Sequence, residues 1–347
     1  MDDVVGLTER MVTAARAVEA SEADEDVHAY WDLVWEAVRG EGGPTALRCG
    51  LGLLASADAV ERKVGCDLVG RTAEAHESVR GEVATALVAL AGAETAAAVL
   101  SSLVTALGRT QEAQAVPVLV RLVEHGDPEV RLHVAMAIGP VNSGLPDGPD
   151  VRALVRLTRD EDCEVRDWAT FSLGVCLDHD TTAIRDALWT RTADDYDDAR
   201  GEAVHGLARR HDPRVVPLVA RMLESDDGAR SFAVDAAEVL GAPELLPALR
   251  ACEDSEDTFG LDRAVAACDP VLRARMEDDA WAVVVELERL RPGIGAALSA
   301  PRFASVHCLE LTIREGAEEA YAAADLLARA DGDPVRAAEL VVADLVA

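Results

Sequence analysis

The sequence predicts an all-α chain wound as a right-handed α–α superhelix, a solenoid of stacked helical pairs. Three observations carry that expectation. A short phrase recurs: Asp-Pro-Glu-Val-Arg at 127–131 and Asp-Cys-Glu-Val-Arg at 162–166, with weaker copies at 197–200 (Asp-Asp-Ala-Arg) and 226–230 (Asp-Asp-Gly-Ala-Arg). Its arginines, Arg131, Arg166, Arg200 and Arg230, stand 35, 34 and 30 residues apart, a period that marks one supersecondary unit repeated. Small or apolar residues follow each arginine at +3, +4 and +7 (Val134, Ala135 and Ile138 in the first copy), which is one buried helical stripe. Finally, 50% of residues are hydrophobic but only 3% aromatic. Alanine, leucine and valine must therefore build the core, which suits close contact between helices, and strand signals are scarce.

Residues 3–20 and 26–39 read as helices joined by the acidic turn Ser21-Glu22-Ala23-Asp24-Glu25-Asp26. Trp31 and Trp35, four apart, share one face of the second helix. They either seal the end of the array, as terminal repeats do, or form a docking patch. Gly40-Glu41-Gly42-Gly43-Pro44 breaks the chain. Helices are expected at 44–55 and 59–72, where Val60-Glu61-Arg62 loosely echoes the phrase, and at 80–91 and 95–107. Residues 83–108 have the length of a membrane helix of ~20 residues. Glu94 near the centre and Gly92 mark them instead as two buried helices.

Five helical pairs are expected over 115–252. The phrase opens the second helix of each pair, where a short acidic side chain caps free N–H groups and Pro128 fits the first turn. The first helices include Val116–Leu122, Val151–Leu157, Ile184–Trp189, Val216–Met222 and Leu246–Leu249. Pro140–Asp150 is the longest loop and should fall on one rim. After the acidic run Glu253–Asp257 the register loosens. Asp269–Arg273 and Asp333–Arg336 look like late copies, and helices at 278–290, 301–314, 317–329 and 334–346 should continue and cap the array. The expected organisation is thus 1–114, an N-terminal cap with degenerate repeats; 115–252, the core repeats; and 253–347, C-terminal repeats and cap.

The phrase, the alanine three after the arginine, and Pro117, Pro217 and Pro247 in the first helices together resemble the HEAT-repeat proteins, most closely the short bacterial HEAT-like repeats also found in bilin lyases. The resemblance covers about 115–252. Marker patterns of tetratricopeptide and ankyrin repeats are absent. The resemblance implies an Asp–Arg ladder between neighbouring repeats, hence a structural role for the four arginines, and a concave face lined by the second helix of each pair.

The formal net charge is −31, with 64 acidic against 33 basic residues, of which one is a lysine, Lys63. Nucleic-acid binding needs a basic stripe and anionic membranes attract polybasic segments, so neither partner is expected. A basic protein or peptide fits the charge, as does plain solvation, including in a salt-adapted cytoplasm. The seven cysteines are no closer than 13 residues apart. They read as small core residues of a reducing compartment rather than a metal or redox site. Met1-Asp2-Asp3 does not read as the start of a signal peptide. A cytoplasmic location is expected, with no cofactor and no metal.

On the second helices, the +2 and +5 positions face away from the buried stripe. At +2 stand His133, Trp168, Glu202 and Phe232; at +5, Met136, Phe171, His205 and Asp235. These two columns vary while their neighbours stay small and apolar. They either line a recognition groove with an aromatic centre or are buried against one another by closure of the superhelix. Glu202 and His205 form an i, i+3 pair able to move a proton. No nucleophile elbow, phosphate-binding glycine loop or metal helix accompanies them, and Asp178-His179-Asp180 reads as a turn. The expected function is a non-catalytic scaffold or adaptor binding a protein or peptide, a basic one if the charge is used. The alternative is a lyase-like enzyme or carrier holding a small molecule such as a tetrapyrrole. A third reading is an acidic DNA mimic. DNA glycosylases built on similar repeats need a basic groove, from which this chain departs.

Overall fold

The computed structural model describes residues 2–21, 24–39, 43–225, 230–252, 260–300, 308–315 and 317–345. Most of the fourth phrase copy (226–229), the acidic run 253–257 and parts of the turns at 21–26 and 40–44 lie outside the described residues. The chain forms two compact units, 1–187 and 188–347.

In unit 1 the helices are α1 (Asp2–Ser21), α2 (Asp24–Val38), α3 (Gly43–Leu54), α4 (Ala59–Ala75), α5 (Arg80–Leu90), α6 (Ala97–Thr110), α7 (Val116–Leu122), α8 (Pro128–Val141), α9 (Pro149–Leu157) and α10 (Cys163–Phe171). They form successive pairs, and α4, α6, α8 and α10, the second helix of each of four pairs, stand side by side. The repeat arrangement thus begins before residue 115. The apolar stretch 83–108 is two helices, α5 and α6, and among the described residues no helix is long and apolar enough to cross a membrane.

Each local expectation for the phrase has a visible cause. Asp127 accepts the Glu129 N–H at 2.9 Å, and Asp162 accepts those of Glu164 and Val165 at 2.9 and 3.2 Å. Asp58 does the same at the start of α4. Arg131 then turns back and donates to the carbonyl of His125 at 2.8 Å, in the turn before its own helix. It also reaches forward to Asp160 through two bonds of 2.8 Å. Arg62 repeats the pattern: carbonyls of Ser56 and Ala57 at 3.0 Å, then Glu94 at 2.7 and 3.3 Å. These are the rungs between repeats. The carboxylate in each is not the capping aspartate but an acid in the next turn, which in turn accepts backbone N–H groups there.

Close approach of the second helices depends on missing side chains. A Cβ on Gly70 would stand 2.8 Å from the Cα of Ala106, and one on Gly108 would stand 3.2 Å from that of Ala137. The loop after α8 is tied down by Asp150, fully buried, whose carboxylate accepts the Ser143 hydroxyl at 2.8 Å.

Helix α11 (Thr182–Arg191) spans the division between the units. Unit 2 continues with α12 (Asp197–Arg209), α13 (Val216–Leu223), α14 (Arg230–Leu240), α15 (Leu246–Ala251), α16 (Leu261–Cys268) and α17 (Pro270–Leu290). The prolines of the first helices sit where no bond is lost: Pro117, Pro217 and Pro247 occupy the first turn, each led in by a single 3₁₀ turn.

The C-terminal region departs from the expectation of continuous helices at 301–314 and 317–329. Residues 301–307 lie outside the described residues. The segments on either side of them pair into an antiparallel sheet, β1 (Ala297–Ser299), β2 (Glu310–Glu315) and β3 (Ala317–Ala322), in the order β1-β2-β3, with Leu311 opposite both Leu298 and Tyr321. Helix resumes only at α18 (Ala323–Arg329) and α19 (Pro334–Asp344). The reason is the alternation Leu309-Glu310-Leu311-Thr312-Ile313-Arg314. Leu311 and Ile313 are buried with Val283 and Leu287 of α17 and Ala337 and Val341 of α19, whereas a helix would turn them to different faces. The array itself is all-α, as the period predicts.

Candidate binding groove

The eight residues singled out by the +2 and +5 columns divide evenly between the units. In unit 1, α8 presents His133, half-buried, and Met136, 39% exposed; α10 presents Trp168, 36% exposed, and Phe171, half-buried. Trp168 and Phe171 meet edge to face, with ring centroids 5.6 Å apart and an 81° interplanar angle, the arrangement that aromatic quadrupoles favour. His133 Nδ1 lies 2.8 Å from the Glu129 carbonyl and 3.5 Å from its carboxylate. In unit 2, Glu202, His205 and Phe232 are half-buried and Asp235 is exposed. Phe232 of α14 lies over Gly201 of α12, where a Cβ would come within 2.5 Å of the ring. Burial holds the His205 imidazole below its ordinary pKa; the Asp235 charge opposes this and Arg209 adds to it.

His133 and Met136 do not act alone. They line two adjoining cavities, of about 590 and 360 Å³, between α4, α6 and α8, with Trp31 of α2 on the wall of the larger. Trp31 and Trp35 both pack against the core formed by α1, α2 and α4, and Trp31 also lines the larger cavity.

Several groups in this groove fall outside the two columns. Tyr30, 2% exposed, donates its hydroxyl to Asp67 at 2.7 Å, and Lys63 donates to the same carboxylate oxygen at 3.0 Å. Burial, then the Asp67 charge, push the Tyr30 pKa well up. The Arg71 guanidinium stands 4.5 Å from the Trp35 ring centre and 5.1 Å from that of Trp31; Arg109 stands 5.6 Å from Trp31. Glu74 holds both arginines, at 2.6 Å from Arg71 and 3.6 Å from Arg109. Burial, then repulsion from Arg71, lower the Arg109 pKa, though an arginine stays charged at neutral pH. The signal was available: Lys63, Asp67 and Arg71 on α4 and Ser101, Thr105 and Arg109 on α6 each recur every four residues, one polar stripe per helix.

The arrangement can bind: it offers apolar walls, aromatic faces and buried charge. Among the described residues, no group of three or more His, Cys, Asp or Glu is placed to hold a metal ion.

Comparison with known proteins agrees with the architecture. The family model described as HEAT repeats matches residues 98–174. Protein YibA of Escherichia coli K12 is 32% identical over 120 residues, 35% of this chain, and its counterpart in Escherichia coli O157:H7 gives the same values. The match spans only 41% of the length of those relatives. The crystal structure of Escherichia coli YibA superposes with a TM-score of 0.55 at 20% identity, covering 76% of this chain and 95% of that one. Residues 98–174 thus match HEAT repeats, and the paired helices and the arginine–carboxylate rung of that stretch are those of a helical-repeat array.

Proposed function

We propose that the chain is a non-catalytic scaffold or adaptor that binds a protein or peptide in a concave groove lined by its second helices. The observation that carries this reading is the exposure of Met136 and Trp168 (39% and 36%) beside columns that are fully buried. Large apolar groups held rigidly at a surface are the usual anchors of recognition. His133, Met136, Trp168, Phe171, Glu202, His205, Phe232 and Asp235 are the proposed contact residues. The charge of −31 favours a partner that is basic overall, with acidic residues raising its rate of encounter. In this reading 115–252 holds the core repeats, 1–114 an N-terminal cap with degenerate repeats and 253–347 C-terminal repeats and cap, and the protein works in the cytoplasm.

The test uses two baits, the wild-type chain and a Trp168→Ala/Phe171→Ala/Phe232→Ala variant of matched helicity and melting temperature. Bound proteins are identified, purified and titrated back. A partner held by the wild type and lost by the variant, with affinity falling as salt rises, is the expected result. Equal binding to both would sink the groove assignment. One observation favours a second reading: a cavity of about 590 Å³ is within the range of small-molecule sites. A metabolite or chromophore co-purifying with the wild type would favour a carrier or lyase-like enzyme.

A further inference from the structure

The first helices of unit 1 enclose a surface of the opposite character to the rest of the chain. Helices α7 and α9 pack against each other, and two adjoining cavities of about 410 and 440 Å³ lie between them. Arg152 and Arg156 line both; Arg159 and Asp160 join them in one, Arg121 and Glu124 in the other. Four arginines thus face two carboxylates, in a chain where acids outnumber bases 64 to 33.

The two carboxylates do not absorb this charge. Asp160 accepts two bonds of 2.8 Å from Arg131 and so brings its own cation. Its neighbour Glu161 stands 3.8 Å from the same Arg131. Glu124 pairs with Arg156, but their side chains are 63% and 64% exposed, and such a pair is weak and readily exchanged. The other three arginines meet no carboxylate. Arg121 donates to the Ala91 carbonyl at 2.8 Å and Arg152 to that of Asp147, both neutral acceptors. The Arg159 side chain has no hydrogen bond or ion pair among the described residues. All four arginines are exposed, so their donors are open to a ligand. Helix ends account for part of the cluster: Arg121 and Arg156 lie in the last turns of α7 and α9, and Arg159 just beyond, where a cation offsets the helix dipole. Arg152 lies in the first turn of α9, where a cation opposes it. Between the arginines the floor is aliphatic, with Val120 and Val155 half-buried.

We propose that the surface between α7 and α9 docks a short acidic segment of a partner protein, two or three carboxylates with an aliphatic residue among them. This site does not depend on the groove lined by the second helices. Guanidiniums take carboxylates in a bidentate fork, and the valines of the floor take the apolar side chain. From Arg152 to Arg159 the row runs roughly 10 Å at helical rise, which matches two or three side chains. At ~0.15 M salt, charge acts over about 8 Å, so such a segment answers to these arginines rather than to the −31 of the whole chain. A nucleic-acid backbone long enough to run past the row would leave it for a surface where acids predominate.

The test measures fluorescence anisotropy of labelled probes with the full chain at ~0.15 M salt. The probes are a peptide of repeated Glu-Leu-Glu units, its Gln-Leu-Gln counterpart and a single-stranded DNA of the same charge. The acidic peptide should bind, and the neutral one should bind roughly tenfold more weakly or not at all. Arg152→Gln/Arg159→Gln should weaken the acidic peptide roughly tenfold or more. Arg275→Gln, which replaces an 80% exposed arginine of α17, should leave it unchanged. Should the double variant fail to fold, Glu124→Gln decides: by releasing Arg156 it should tighten the acidic peptide about two- to fivefold. The Trp168→Ala/Phe171→Ala/Phe232→Ala variant should bind it as the wild type does, which separates failure of this site from failure of the groove. Equal binding of the acidic and neutral peptides, or an affinity unmoved by the double arginine variant, overturns the site. DNA held more tightly than the acidic peptide through the same two arginines overturns the peptide occupant. A wild-type dimer that the double variant loses, with the acidic peptide left unbound, overturns it in favour of a second copy of the chain.

Discussion

Replacing Arg131 with methionine should cost the protein far more than any surface arginine. Arg131 and Asp160 are each only 9% exposed at the side chain and share two bonds of 2.8 Å. An exposed pair of similar length, Arg336–Asp331 at 2.9 Å, is 60% and 80% exposed and should contribute less than about 1 kcal/mol. Removing one partner of a buried pair strands the other, at ~3–5 kcal/mol. Asp160 keeps the Asp162 N–H at 3.0 Å, which places Arg131→Met near the lower end, about 3 kcal/mol, or roughly 6–12 °C in melting temperature. Arrays can open repeat by repeat, so urea denaturation should be joined to amide hydrogen exchange across α8 and α10. The double variant Arg131→Met/Asp160→Leu should recover most of the loss, since an apolar pair can replace a buried ionic one. The pH dependence has a definite sign. Burial alone would raise the Asp160 pKa; bonds from Arg131 and the Asp162 N–H outweigh it and hold the carboxyl below its usual value. The contribution is complete above the unfolded value of ~3.9 and is lost as pH falls through the folded one. A loss below about 1 kcal/mol for Arg131→Met, or a double variant as unstable as the sum of the singles, would refute the rung as a buried, coupled pair.

Asp127→Ala should cost about 1 kcal/mol by removing the cap of α8, read from the urea midpoint; no change would deny the cap. Gly70→Ala should cost ~1–3 kcal/mol by forcing α4 away from Ala106, whereas Gly52→Ala, with open space at the Cβ, should not destabilise. His205 gives a pH signature. Its folded pKa lies below the usual ~6.5, so the unfolded chain takes up the proton first, and stability should decline as pH falls below 6.5 toward the folded value. His205→Gln should flatten that decline, and an imidazole titrating at or above ~6.5 by NMR would contradict the assignment.

How much was legible depended on what each residue answers to. The caps were readable because an aspartate two or three residues before a free N–H acts locally. The pairing of helices was readable because the stripe after each arginine repeats. The rung acids, Glu94 and Asp160, were not singled out, because their role is set by a neighbour 29–32 residues away and no local pattern marks it. The strands at 310–322 were missed because alanine and glutamate dominate β3, while the alternation in β2 spans only a few residues. The charged stripes of α4 and α6 were missed for another reason. The +5 column, counted from Arg62, arrives at Asp67, and one further turn arrives at Arg71. Helix α6 has no phrase arginine from which to count, so Ser101, Thr105 and Arg109 looked like the polar minority of an apolar segment.

The rungs also have a direction. Arg62 and Arg131 bond backward to carbonyls five or six residues earlier and forward to acids about thirty residues later. On a ribosome the backward bonds become available at once, while the forward acid emerges seconds later, at ~5–20 residues per second. At Arg62 and Arg131 the arginine can therefore be held within its own repeat before the next one exists, with the donors used by the forward acid still open. A chain ending before Glu94 or Asp160 should therefore expose an arginine that the full chain covers.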